Sequence, residues 1–420
     1  MPYFCSMLQP KNLLTKRGTL LGRELRVDRE VFATIGFPDF TPWYFRCFFL
    51  ILPRHRFGFR NGFFMSIELG VVKQIGKNLR LASTDYALIF LNFGMARKDL
   101  LDIASLHREE IEFLLDQSTS FKKLFTHSVK KIPALEGKSV LMLFYEASTR
   151  THSSFEVAAK RLSAEITNFD VAHSSITKGE SVRETIETLQ AMRTDYIVVR
   201  HGHPGLPGMI ARQTTASVIN AGDGAHEHPT QALLDAFTIR EKFPDPRGKK
   251  VLIIGDILHS RVARSTSTLL QKLGVEVAYL GPGSLVPKYG PATIPRFTDY
   301  EAAMAWAPDV VYLLRVQLER QDVQFFPSVR EYHRVYGITN TRLAEIRDRG
   351  LYIMHPGPVN RGVELCDAVM DYERCLITNQ VENGISIRMA VLDWLTPGGE
   401  FPKQESYAAQ QRTSPTVIRP

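Results

Sequence analysis

The sequence predicts an α/β protein with two parallel-sheet α/β domains joined by a helix, preceded by a non-globular N-terminal extension. Three observations carry this. Beyond Met95, short runs of branched apolar residues alternate with stretches at helical spacing, the pattern of a parallel sheet with helices on both faces. The stretch Phe243-Pro-Asp-Pro-Arg-Gly-Lys-Lys, with two prolines and a glycine after a long helix, breaks that alternating region in two. The first 94 residues read poorly as a folded unit; their most apolar run, Cys47 to Leu52, is six residues long.

The elements follow in order. Ala96-Arg-Lys-Asp-Leu-Leu leads into a helix after His107, where Ile111, Leu114 and Leu115 recur at helical spacing. Strands are predicted over 138–144, 165–169, 195–199 and 216–220, and helices over 151–163, 181–192 and 229–242, giving a first domain at 95–242. Strands over 250–254, 275–279, 309–314 and 351–354, with helices over 261–273 and 341–348, give a second at 248–382. A last helix at 383–395 is expected to pack back on the first domain, and the Pro-, Gly-, Gln- and Ser-containing tail at 396–420 to be unstructured.

Composition narrows the function classes. Of 420 residues, 44% are hydrophobic and 23% charged, ordinary globular values that exclude a fibrous or disordered chain. The net charge of +8 is unevenly placed: residues 1–94 hold 13 Lys+Arg against 6 Asp+Glu, and the remainder 39 against 38. A basic balance raises nucleic acid or anionic membrane as partners, but only for this extension. The extension offers no nucleic-acid-binding motif, and its longest apolar run is far short of the roughly 20 residues a membrane span needs. Three serines and six acids also fit a transit peptide poorly. Residues 1–94 are therefore expected to be upstream reading frame or a disordered addition, with Met95 a native start. Four scattered cysteines at Cys5, Cys47, Cys366 and Cys375 form no disulfide framework and no thiolate metal site, consistent with a reduced, cytoplasmic compartment.

The chemistry concentrates at a few turns. Glu146-Ala-Ser148-Thr149-Arg150-Thr151 follows a strand and opens a helix, setting hydroxyls, a guanidinium and unpaired N–H groups where the helix dipole favours an anion. A Ser/Thr cap beside a solvated arginine is the bland alternative, but a cap needs one such residue, not four. Arg261 and Arg315 fall at strand ends, where open α/β sheets bind ligands. The turn at His355-Pro-Gly357-Pro358 can aim main-chain carbonyls at an N–H donor. No metal cluster and no Ser-His-Asp pattern is found, and Gly255-Asp-Ile-Leu-His-Ser lacks the glycines of a dinucleotide turn. Neither a metal nor a cofactor is expected.

The Ser-Thr-Arg-Thr turn resembles the carbamoyl-phosphate signature of the transcarbamoylases. Further matches follow in that family's order across roughly 95–395: Arg200-His201 at a strand end, His228-Pro-Thr-Gln231-Ala-Leu-Leu-Asp, Gly255-Asp-Ile-Leu-His-Ser-Arg261, Arg315-Val-Gln317 and His355-Pro-Gly-Pro358. The last three resemble the aspartate branch in particular. The resemblance implies a transcarbamoylase-like fold, with Arg150, Thr151, Arg200 and His228 as catalytic residues. Carbamoyl phosphate would be held by Ser148, Thr149, Arg150, Thr151, Arg200, His228, Gln231, Gly357 and Pro358. Aspartate would be held by Lys178, Arg261, Arg315 and Gln317. Glu146 would hold an arginine of the site in place. Many relatives carry a leucine at the Gly357 position, a change that a backbone contact survives.

The loop His173-Ser174-Ser175-Ile-Thr-Lys178-Gly-Glu-Ser would be a lid, with Ser174 or Ser175 and Lys178 reaching a neighbouring subunit's site. The resemblance thus implies a homotrimer with shared sites, part of pyrimidine biosynthesis, and leaves a regulatory chain or dihydroorotase open as partners. Two rivals remain. Ornithine carbamoyltransferase, or another transcarbamoylase sharing the first domain, is the nearest; it would need a cysteine in the His355 turn, which has none, and an acidic residue facing the substrate's side-chain amine. A non-catalytic binding paralogue in a pyrimidine complex usually loses loop or phosphate residues; here all are present.

Overall fold

The computed structural model describes residues 97–126, 131–169, 182–191, 193–288, 293–316 and 328–396. The extension, the 173–181 loop, Gln317 and most of the tail lie outside the described residues.

The first half runs α1 (Arg108–Thr126), β1 (Ser139–Phe144), α2 (Thr149–Arg161), β2 (Glu165–Phe169), α3 (Val182–Ala191), β3 (Tyr196–His201), α4 (Leu206–Gln213), β4 (Ser217–Asp223) and α5 (Pro229–Lys242). Its four strands are all parallel, in the order β2-β1-β3-β4. The second half runs β5 (Lys250–Ile254), α6 (Arg261–Lys272), β6 (Glu276–Leu280), β7 (Arg296–Phe297), α7 (Tyr300–Ala305), β8 (Val310–Leu313), α8 (Val329–Tyr336), α9 (Asn340–Asp348), β9 (Tyr352–Met354) and α10 (Ile377–Trp394). Its sheet is also parallel, in the order β7-β6-β5-β8-β9.

Both orders reverse direction once. The chain leaves β1 for β2 on one side and returns to β3 on the other; β5 does the same between β6 and β8. Beyond the carboxyl ends of the strands at such switch points, adjacent turns diverge and leave a crevice, the usual ligand position in this architecture.

Period-two alternation divides the strand side chains between cores. Val140 and Met142 of β1 and Val251 and Ile253 of β5 enter one continuous core that runs under both sheets. Leu141 and Leu143 face a separate cluster on the first sheet, and Leu252 and Ile254 one on the second. The shared core is held by α5 and α10: α5 is buried from Pro229 to Ile239, and α10 packs on α1, α2 and α5. A helix buried all round has no solvent face for polar residues, so those on α5 must be satisfied internally.

Four elements escape the sequence reading. In α4, Pro207 and Gly208 hide the helical pattern; β7 is two residues long, and α7 and α8 are six and eight. The last helix begins at Ile377, not at 383, because burial of Ile377 and Gln380 overrides the weak helix propensity of Ile-Thr-Asn.

Candidate active site

The predicted residues arrive at the two switch points. Glu146 to Thr151 follow β1 and Arg200 is the next-to-last residue of β3, while Arg261 opens the helix after β5 and Arg315 follows β8. His228 and Gln231 start α5, which connects the halves, and the His355 turn follows β9.

At the first turn, Ser148 is the N-cap of α2, yet its side chain makes no capping bond. The N–H groups of Thr149, Arg150 and Thr151 have no intrahelical acceptor. Thr151 is buried, Ser148 half-buried, and Thr149 and Arg150 exposed. His228, N-cap of α5, likewise makes no side-chain capping bond; its N–H donates to Ser265 Oγ at 2.8 Å. Ser265 Oγ in turn donates to Glu227.

A charge cluster spans the halves. Glu146 Oε2 lies 3.0 Å from Arg261 Nη2 and 3.5 Å from Arg200 Nε. Arg200 Nη1 also donates to the Ala221 carbonyl at 3.1 Å, and Arg261 Nη1 to that of Gly224 at 3.0 Å. Gly222, at φ +115°, is pressed between them: a Cβ there would lie 3.1 Å from both guanidinium groups. One carboxylate thus holds two almost fully buried arginines side by side where the two halves meet.

The opposite wall is the His355 turn. The Gly357 N–H donates to His355 Nδ1 at 2.8 Å, and the His355 N–H to Gln380 Oε1 at 2.9 Å. A Cβ on Gly357, at φ +67°, would come within 3.0 Å of Arg150 Cζ, so the first-half arginine rests on the second-half turn. The chain leaving Arg315 is pinned by Glu364: Oε1 accepts from Val316 N at 2.8 Å and Oε2 from Asn360 N at 2.6 Å.

Electrostatics match this layout. Burial, with Arg200, Arg261 and Arg388 nearby, holds the His228 pKa well below the usual imidazole value. Burial, then Arg150 and Arg315, brings His355 down to about 3. Both rings are therefore neutral at physiological pH, able to offer an N–H without carrying charge.

Among the predicted residues, Ser148, Thr149, Arg150, Thr151, Arg200, His228, Gln231, Arg261, Arg315, Gly357 and Pro358 fall at strand ends, at helix starts or on the turns that follow the strands. Ser174, Ser175, Lys178 and Gln317 lie outside the described residues. Sequence reasoning missed Asp235, Gln380, Glu364 and Arg388, all buried polar or charged groups behind the site. Only Asp235 carried a signal, its four-residue spacing from Gln231 on one helix face.

Two parallel sheets, with arginines at both switch points and an uncapped helix start after β1, define a two-domain α/β protein whose strand-end turns suit small anions. Residues 98–241 match the family described as aspartate/ornithine carbamoyltransferase, carbamoyl-P binding domain, and residues 247–395 its Asp/Orn binding domain. The chain belongs to the aspartate/ornithine carbamoyltransferase family. It is 69% identical over 301 residues to the aspartate carbamoyltransferase catalytic subunit of Akkermansia muciniphila, covering 72% of this chain and 97% of that one. The same subunit from Endomicrobium trichonymphae is 51% identical, with 71% and 96% covered. A solved structure of Trypanosoma cruzi aspartate transcarbamoylase in complex with carbamoyl phosphate and aspartate aligns at TM-score 0.65 and 27% identity, covering 72% of this chain and 98% of that one. No helix among the described residues is long and apolar enough to cross a membrane.

Proposed function

We propose that this chain transfers the carbamoyl group of carbamoyl phosphate to the amine of L-aspartate, giving N-carbamoyl-L-aspartate and phosphate for pyrimidine synthesis. The observation that carries the reading is the pairing of an uncapped, arginine-bearing helix start after β1 with the Glu146-bridged arginines at the end of β3 and after β5. Substrates with phosphate and carboxylate groups need fixed cations and N–H donors at those positions.

The aspartate amine attacks the carbamoyl carbon, forming the C–N bond and placing charge on the carbamoyl oxygen. Collapse of that adduct breaks the C–O bond to phosphate, and the proton lost by the amine leaves with the phosphate. Thr151, Arg200 and neutral His228 donate to the developing oxyanion, a contribution of typically about 10²–10³ in rate per donor. Ser148, Thr149 and Arg150 hold the phosphate, Gln231 and the Gly357–Pro358 carbonyls the carbamoyl NH₂, and Arg261, Arg315 and Gln317 the two carboxylates. Glu146 keeps Arg200 and Arg261 oriented until substrate enters.

The family resemblance supports Lys178 and a serine of 174–175 acting in a neighbouring subunit of a cytoplasmic homotrimer. Mixing Lys178→Ala with Arg150→Ala chains should then restore part of the activity through hybrid sites; no recovery despite subunit exchange would reject sharing. For the reaction itself, the purified chain should release phosphate from carbamoyl phosphate with L-aspartate and not with L-ornithine. The reverse preference would sink the assignment.

A further inference from the structure

We infer that Asp235 is a positioning residue whose Oδ1 fixes the amide orientation of Gln231 and Gln380, and thereby selects a carbamoyl group over an acyl group of the same shape. The inference rests on the proposed reading of the site. Asp235 is fully buried on α5, and its two oxygens have separate partners. Oδ2 accepts hydroxyls, from Tyr312 at 2.7 Å and Thr266 at 3.0 Å. Oδ1 accepts the two amides, from Gln231 Nε2 at 2.9 Å and Gln380 Nε2 at 2.8 Å. Burial lifts the carboxyl to about 6 against these four donors, so it is ionised at neutral pH.

An ionised carboxylate only accepts, so each glutamine must turn its NH₂ toward Asp235 and its carbonyl away. The Gln380 carbonyl then accepts from His355 N at 2.9 Å, which anchors the turn carrying Gly357 and Pro358. The Gln231 carbonyl is left for an N–H donor, and the NH₂ is the one donor that carbamoyl phosphate dianion possesses. A flipped amide would set NH₂ against NH₂. One buried charge therefore gives both walls of the carbamoyl site an acceptor polarity, which acetyl phosphate, with a methyl in place of NH₂, cannot use.

The test measures dissociation constants for carbamoyl phosphate, acetyl phosphate and inorganic phosphate on the full chain. In Asp235→Leu the preference for carbamoyl over acetyl phosphate should fall about tenfold or more, the size of one oriented hydrogen bond. Inorganic phosphate should bind within about threefold of wild type. Asp235→Asn should keep the preference, because its Oδ1 still accepts both amides while the Tyr312 and Thr266 hydroxyls rotate to accept from Nδ2. Asp235→Ser, whose hydroxyl is too short to reach both amides, serves with the same expectation where the leucine variant does not fold. A wild-type preference in the leucine or serine variant overturns the inference. So does a loss of inorganic phosphate binding as large as the loss of preference, which marks collapse of the site. A wild-type chain with no preference for carbamoyl phosphate would instead overturn the functional reading.

Discussion

The two halves start their first helix after a parallel strand in opposite ways. After β5, Ser260 stands at the N-cap of α6 and accepts from Ala263 N at 3.1 Å, closing the helix end on itself. After β1, Ser148 holds the same position on α2 and makes no such bond. Both turns bring an arginine to the crevice, but the second is built for stability and offers a side chain alone. The first leaves a hydroxyl and a row of N–H groups for a ligand. Asp299, Ser328 and Thr339 cap α7, α8 and α9 in the same closed manner as Ser260, so among the described helices with a Ser, Thr or Asp at the N-cap, the start at Ser148 is the one left open.

Substitutions can break or sharpen that contrast. Arg150→Ala removes the cation resting between the open turn and Gly357, and kcat/KM for carbamoyl phosphate should fall by about 10³, as for loss of a preorganised charge. Ser148→Ala should raise the KM for carbamoyl phosphate about tenfold, one hydrogen bond to a charged group, with the Tm unchanged in a thermal melt. Ser260→Ala should do the converse and cost about 1 kcal/mol of stability in urea unfolding.

A pH-dependent effect follows from His355. Its folded pKa, about 3, lies below the unfolded value near 6.5. Between those values the unfolded chain binds a proton that the native one refuses, so the stability present above pH 6.5 is lost as pH falls toward 3. Urea titrations at pH 7.5 and 5 should show this loss, and His355→Asn should reduce the difference.

Apart from the two-residue β7, the sequence made the strands of both sheets legible, since most are buried on both faces and read as short apolar runs between polar breaks. It also located the crevice turns, because strand ends and family spacing coincide at Arg150, Arg200, Arg261 and Arg315. The groups behind the site were not legible. Asp235 acquires its role from Tyr312 on β8, Thr266 on α6 and Gln380 on α10, partners 31 to 145 residues distant that only packing assembles. Glu364 likewise acts on Val316, 48 residues earlier.

The division into a carbamoyl-phosphate half and an aspartate half is tested most directly by calorimetric titration of carbamoyl phosphate without aspartate. Binding should survive Arg315→Ala and vanish in Arg150→Ala. Retention in Arg150→Ala with loss in Arg315→Ala would contradict the account.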